Sequence, residues 1–288
     1  MRLAILSDVH GNPIALDAVL DDIDQRGGVD GYWVLGDLVA QGYDPAGVLQ
    51  RLTSLPNVRF VRGNTDRDTL TVDGYLARTG RGPLTLAEAQ ANPELVPVLI
   101  TVAQGFAWTH GYLAATGWID WLAALPLEQR LTLPDGTRLL GVHVAPGQED
   151  GPGVEPWISH EELARLVAGC DADLVCVGDC HSPLERWVGG VHVVNVASVS
   201  NPRGPDRRAS YTLLDAGISG YGLTLHRVAY DTEAVIRAIR AHHFFPNPEW
   251  LIAKFADPDP TSFAPGGQSP GTRHCIPLTV RPRAGSGP

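Results

Sequence analysis

Four short apolar, β-branched runs in this chain each end on a polar cluster, and that arrangement restricts the fold more than any other feature. LAIL leads to Asp8 and His10 (LSDVHG), YWVL to Asp37 (VLGDLVAQG), VRFV to Asn64 (VRGNTD) and DLVCV to Asp179 and His181 (VGDCHS). A fifth run, TRLLGV, closes on His143. Short apolar runs bounded by turn residues read as buried strands. In open α/β sheets ligands bind outside the carboxyl ends of the strands, so the seven side chains can converge on one crevice. Carboxylate, imidazole and carboxamide groups together suit divalent Mn, Fe, Zn or Ni, with Mg less well matched to the imidazoles.

The segments between the runs are helical. Asn12 is placed to cap a helix with Pro13 in its first turn, Leu16, Leu20 and Ile23 recur at helical spacing, and Gly27-Gly28 ends it. A second helix is expected near Asp44-Pro45, before the strand leading to Asn64. Strand and helix alternating in this way argue for parallel βαβ units. Residues 66–126 break the rhythm and read as a helical insertion over the site, carrying Tyr75, Trp108, Trp118 and Trp121. The i, i+3 spacing of Trp118 and Trp121 fits helix core better than base stacking. A hairpin turning at Asp135-Gly136, a helix over His160–Gly169, a strand over Asp173–Val177 and a hairpin at Gly189-Gly190 follow. Two further strands, SYTLLD and GLTLHRV, and a helix near Asp231–His243 complete the pattern, giving a domain over residues 1–245 and an extension over 246–288. From Pro258 to Pro288 there are 7 Pro and 5 Gly in 31 residues, a composition that excludes helix and central strand and suits a surface tail.

Composition narrows the partners. The net charge of −10 argues against nucleic-acid binding through a basic surface. The apolar stretch Leu95 to Ala103 is too short to span a bilayer, and no secretory h-region precedes Asp8, so a cytoplasmic protein is expected. Cys170, Cys176, Cys180 and Cys275 form no CxxC pair and read as reduced; Cys180, inside G-D-C-H, is the one placed near chemistry. There is no Walker A loop, no strand-linked G-x-G-x-x-G and no G-x-S-x-G elbow.

In order and wording, D-V-H, G-D, G-N-T-D, G-V-H and G-D-C-H resemble the motifs of the calcineurin-like metallophosphoesterases, most closely the bacterial and archaeal branch that contains small phosphodiesterases. The resemblance extends to about residue 245 and implies an α/β/β/α sandwich of two mixed β-sheets flanked by helices. It implies two divalent ions held by Asp8, His10, Asp37, Asn64, His143, Asp179 and His181, with Asp37 bridging them and Asn64 a neutral oxygen ligand, Asp37 and Asn64 serving catalysis, and Asn64 and Arg203 (NPRGPDRR) binding the substrate phosphate. The implied reaction is hydrolysis of a small phosphate ester, a phosphodiester foremost, by a hydroxide held between the ions. A phosphomonoesterase or a dinucleotide polyphosphate hydrolase is the alternative within the enzyme class. A scaffold that kept the fold and lost catalysis, as in the retromer complex, is the alternative outside it.

Three departures from the family pattern bear on these expectations. Thr65 stands where many relatives carry a His proposed to assist the leaving group. Asp179 replaces a His ligand, and Asn195-Val196-Ala197-Ser198 replaces N-P-G-S. For the lone His, both His110 (AWTHGY) and His143 (LLGVHV) offer themselves; His143 is preferred because it ends a hairpin strand followed by the helix and strand that lead to G-D-C-H. His110 is expected to cap or pack within the insertion.

Overall fold

The computed structural model describes residues 1–71, 90, 93, 95–151, 153–204, 206–242, 245–256 and 276–278. Its elements run β1 (Arg2–Leu6), α1 (Pro13–Gln25), β2 (Gly31–Leu35), α2 (Pro45–Thr53), β3 (Val58–Val61), α3 (Asn64–Leu70), α4 (Leu95–Thr116) and α5 (Ile119–Ala123). Then come β4 (Glu128–Thr132), β5 (Arg138–Val142), α6 (His160–Val167), β6 (Leu174–Val177), β7 (Leu184–Val188), β8 (Val191–Asn195), β9 (Ala209–Gly217), β10 (Gly220–Val228), α7 (Thr232–Ala241), α8 (Pro248–Ala256) and β11 (Ile276–Leu278).

The helix boundaries follow local chemistry. Asn12 accepts from the Ala15 amide at 3.1 Å and Asp44 from that of Gly47 at 2.8 Å, each ahead of a proline in the first turn. Ser159 and Glu162 close a reciprocal capping box at the start of α6. Gly189 and Gly190, at φ 57° and 84°, make the tight turn between β7 and β8.

The strands form two mixed sheets, as the motif pattern implied. One has the order β11-β10-β9-β1-β2-β3, the other β4-β5-β6-β8-β7. β1, β2 and β3 are parallel neighbours, with Ile5 opposite Trp33 and Val34 opposite Phe60, while β9 joins β1 antiparallel. In the second sheet β6 lies parallel to both β5 and β8. Alternation along each strand sends one set of side chains into the space between the sheets: Leu3, Ile5, Trp33 and Leu35 from the first meet Leu139, Leu174, Cys176 and Val194 from the second. Trp33 fills the depression over Gly141 of β5, where an added Cβ would come within 2.8 Å of its indole. The outer face of the first sheet is covered by α1 and α2, and that of the second by α6.

Of the segment read as a helical insertion, α3, α4 and α5 are described; Tyr75 lies outside the described residues. Trp118 and Trp121 meet edge to face at 5.5 Å and are partly buried against the core under the first sheet. Two elements lie beyond α7. α8 packs on α7 through Leu251 and Ile252, and β11 adds to the edge strand β10, the position where Pro277 is tolerated because an edge need not supply every ladder N–H. Most of the Pro/Gly-rich tail, with Cys275, lies outside the described residues.

Because Trp33 is the largest side chain shared by the two sheets and is 1% exposed, Trp33→Ala is expected to lower unfolding free energy by about 3–5 kcal/mol. Urea titration followed by circular dichroism measures it; a loss under about 1 kcal/mol would mean that the sheets dock through other contacts.

Candidate metal centre

Three of the five site motifs leave their strands through an unusual backbone conformation. Asp8, His10, Asp37, Asp179 and His181 all adopt positive φ, between 48° and 67°. Such left-handed non-glycine residues concentrate where surrounding structure holds a functional geometry. The surrounding structure here is a lattice of loop-to-loop hydrogen bonds. Asp8 N donates to Gly36 O (3.1 Å), His10 N to Asp37 O (2.9 Å), Gly178 N to His143 O (2.9 Å) and Ser200 N to Asp8 O (3.1 Å). Two glycines permit this closeness: a Cβ on Gly63 would fall 2.2 Å from Asp37 Oδ1, and one on Gly36 2.7 Å from His143 Nδ1. Gly42 allows a third close approach, since a Cβ there would lie 1.7 Å from His10 O.

All seven side chains read from the sequence are brought together. The three imidazoles share one orientation: Nδ1–H of His10, His143 and His181 donates to the carbonyls of Ala40 (2.8 Å), Leu35 (2.6 Å) and Asn201 (2.7 Å). Each Nε2 is thereby directed toward the centre, where an unprotonated ring would present its lone pair. His10 Nε2 and His181 Nε2 face one another at 3.1 Å, an arrangement of two acceptors that needs a cation or a proton between them. Asp8 Oδ1 lies 3.2 Å from His181 Nε2, and Asp37 Oδ2 lies 3.7 Å from His10 Nε2. One ligand atom from each of Asp8, His10, Asp37 and His181 falls within 4.8 Å of the others, a spacing that can hold a metal ion.

A second group sits on the other side of Asp37. Its Oδ1 is 3.3 Å from His143 Nε2, which is 3.7 Å from Asp179 Oδ1, and Asn64 Nδ2 donates to that same Asp179 oxygen at 2.8 Å. Asp8 Oδ1, Asn64 Oδ1 and His143 Nε2 are buried and make no hydrogen bond. Orphaned donors of this kind in one small volume fit divalent cations.

The electrostatics point the same way. Burial works against a charged His143, yet Asp37, Asp8 and Asp179 outweigh it and raise the imidazole to about 10, so the position favours positive charge. Burial alone would raise Asp8, but the adjacent His181 and His143 hold it below its ordinary value. His10 is pushed down to about 4, chiefly by burial, and so presents a neutral, ligand-competent imidazole.

The remaining sequence-derived residues divide clearly. Arg203 lines the cleft above the centre, its backbone N donating to His181 O at 3.0 Å and its guanidinium 3.9 Å from Glu155. His110 is an exposed residue of α4 whose Nδ1–H donates to Thr69 O at 2.9 Å, a packing role within the helical segment. Cys180 is buried, with Sγ 3.3 Å from Val154 O, and burial pushes its thiol up to about 12, leaving it unreactive. The Asn195–Ser198 loop keeps its turn without glycine: Ala197 adopts φ 62°, Asn195 Oδ1 accepts from Ala197 N (2.9 Å), and Ser198 Oγ donates to Asp8 O (3.0 Å).

Asp66 was not singled out from sequence, although it ends G-N-T-D. Its buried carboxylate accepts from Leu38 N (2.9 Å), Val39 N (3.3 Å) and Gly63 N (2.9 Å), tying the Asp37 loop to the Asn64 loop. Burial, reinforced by the charge of Asp37, raises it to about 7.

A model of the calcineurin-like phosphoesterase superfamily domain matches residues 1–217. The chain belongs to that superfamily. It is a metallophosphoesterase, and its family is metal-dependent. The crystal structure of a metallophosphoesterase from Sphaerobacter thermophilus superposes with a TM-score of 0.66 at 27% identity, covering 89% of this chain and 98% of that one. A hypothetical protein, PH1004 from Pyrococcus horikoshii OT3, shares the fold with a TM-score of 0.70 at 19% identity, over 88% and 97% of the two chains. In sequence, the uncharacterized protein MJ0912 of Methanocaldococcus jannaschii is 25% identical over 268 residues, 86% of this chain and 95% of that protein. A symmetrical bis(5'-nucleosyl)-tetraphosphatase of Erwinia tasmaniensis is 37% identical over 79 residues, 27% of this chain and 29% of that enzyme.

Two stability outcomes follow from the loop geometry. Asp66→Ala strands three buried amides, so it is expected to cost about 3 kcal/mol or more and to weaken metal binding, read by urea unfolding and by metal titration. Ala197→Gly removes left-handed strain of about 1 kcal/mol and is expected to leave the protein equally or slightly more stable, the gain being reduced by the greater freedom of the unfolded glycine. A clear loss of stability in Ala197→Gly would show that the Ala197 methyl matters more than its backbone.

Proposed function

We propose that this metallophosphoesterase hydrolyses phosphodiesters at a dinuclear divalent-metal centre. Asp8, His10, Asp37 and His181 would hold one ion, and Asp37, Asn64, His143 and Asp179 the other. The observation that carries the reading is the placement of Asp37, with Oδ2 turned toward His10 and Oδ1 toward His143, one carboxylate between two ligand groups. Bound divalent cations would supply Lewis-acid stabilisation of the phosphoryl oxygens and an acidified water.

The protein's own groups set the rest. Thr65 N donates to Asp37 Oδ1 at 2.9 Å and fixes the carboxylate that both groups share. Asn64 orients Asp179 through its amide N–H and keeps its oxygen for the second ion. Arg203, on the rim, is placed to bind and orient the phosphate, a guanidinium being suited to two phosphoryl oxygens at once. Thr65 carries no titratable proton, so departure of the leaving group receives no help from that position. The cleft is rich in carboxylates, with Asp37, Asp150, Glu155 and Asp179 on its lining. A singly charged diester meets less repulsion there than a doubly charged monoester, which favours phosphodiesters.

The similarity to symmetrical bis(5'-nucleosyl)-tetraphosphatases over 79 residues supports a second reading, hydrolysis of a dinucleotide polyphosphate. The candidates separate in one assay. The metal-stripped protein, given Mn, Zn, Ni or Mg separately, is expected to hydrolyse bis-p-nitrophenyl phosphate best with one of the first three and to act more slowly on p-nitrophenyl phosphate and on diadenosine tetraphosphate. Asp37→Ala is expected to lower kcat/KM by more than about a hundredfold, since even residues that only support a metal ligand act on the scale of 10–100-fold. Asp179→Ala is expected to retain a single ion per chain by elemental analysis. Unchanged turnover and metal content in Asp37→Ala would overturn the assignment.

A further inference from the structure

The cleft above the centre encloses about 540 Å³ and is walled by parts of the chain remote from the motifs. Val102 and Phe106 of α4 form an apolar side, and Arg203 and Arg207 lie on the loop that leads to β9. α8 contributes Lys254. Lys254 is the single lysine among the 22 Lys and Arg residues of the sequence. Every other basic side chain, from surface ion pairs to the cleft rim, is an arginine. An ammonium differs from a guanidinium in being compact and in having a proton affinity that its surroundings can move.

The surroundings of Lys254 are specific. Nζ donates to the side-chain oxygen of Gln41, in the loop that follows Asp37, across 213 residues of sequence. The same Nζ lies 4.2 Å from the centre of the Trp250 ring. Among the described residues it has no carboxylate partner, whereas Arg203 faces Glu155 and Arg62, Arg67 and Arg208 all pair with acids. Loss of hydration with no compensating anion pulls its pKa down to about 7. Among the described residues this amine on the cleft wall is paired with an amide and an indole and with no anion, which suits it to an anionic ligand.

We propose that Lys254 is a substrate-binding residue of the hydrolytic site, its ammonium, positioned by Gln41, contacting the phosphate group of the bound ester. The inference rests on the phosphoesterase reading and deepens it, because it places a binding group in α8, beyond residues 1–217 that the superfamily model covers. Phosphate oxygens arriving beside Nζ restore the charge balance that burial removes, so binding of the anion and protonation of the amine reinforce one another.

A sole lysine makes the test direct. Reductive methylation of the metal-loaded protein with 13C-formaldehyde labels Lys254 alone among side chains, and the amino terminus gives a separately assignable signal. Adding inorganic phosphate at pH 7 is expected to move the dimethyl-lysine resonance saturably toward its protonated position; a resonance that does not move overturns the proposal, whether or not the protein turns over any ester. In steady-state assays with bis-p-nitrophenyl phosphate, Lys254→Met is expected to raise KM by about tenfold while kcat falls less, and Lys254→Arg to recover part of the loss. An unchanged KM in Lys254→Met, with the variant's melting temperature also unchanged, overturns it equally. Failure of every metal to support turnover would instead remove the phosphodiesterase reading, and the phosphate titration would still decide Lys254.

Discussion

Asp8, Asp37 and Asp66 lie almost fully buried around one small volume, with Asp179 at its edge, and the rest of the structure answers that concentration of negative charge. Buried carboxylates this close repel one another and are costly to ionise unless cations or N–H donors face them. The chain supplies both. Backbone amides of Leu38, Val39 and Gly63 neutralise Asp66, the Thr65 amide holds Asp37, and the Asp179 amide donates to Asp8. Imidazoles from three separate loops occupy the remaining directions, and the charge still uncompensated is what suits the centre to divalent ions.

That compensation depends on the two sheets meeting in one register. His143 ends β5 of the second sheet but is oriented by the carbonyl of Leu35, the last residue of β2 in the first. Ser7, following β1, donates to the same carbonyl at 2.8 Å, and the N–H groups of Val199 and Ser200 return to Ser7 and Asp8. The apolar layer around Trp33 and Leu174 therefore sets the spacing of the candidate ligands as well as the stability. A shift of one residue in the pairing of β1 with β2 would carry Asp8 to the opposite face and dissolve the site.

The parts of this design that were legible in the sequence are those written locally. Asp8, His10, Asp37, Asn64, His143, Asp179 and His181 each stand just after a strand, where the chain must turn and its side chains reach the crevice, and all seven meet there. The helix cap at Asn12 and the helix start at Asp44-Pro45 are equally local. Asp66 is not legible because two of its three partners lie 27 and 28 residues away and its local bond to Gly63 reads as an ordinary cap. Lys254 could not be read at all, since only the packing of α8 on α7 carries it back to a loop near the start of the chain. The left-handed turn at Ala197 was hidden for the opposite reason: alanine predicts an unstrained backbone, and the hydrogen bonds of Asn195 and Ser198 override that preference.

The orientation of the three histidines also bears on how the protein responds to its surroundings. Each imidazole is clamped at Nδ1 by a carbonyl of another segment, so an ion held by the Nε2 atoms would also hold the segments behind them. Metal supply and conformational rigidity are therefore one thermodynamic quantity. An ion bound there at a free concentration a hundredfold above its dissociation constant would add about 2.7 kcal/mol to the folded state. A chain deprived of such an ion would be looser, its strand ends more open to proteases.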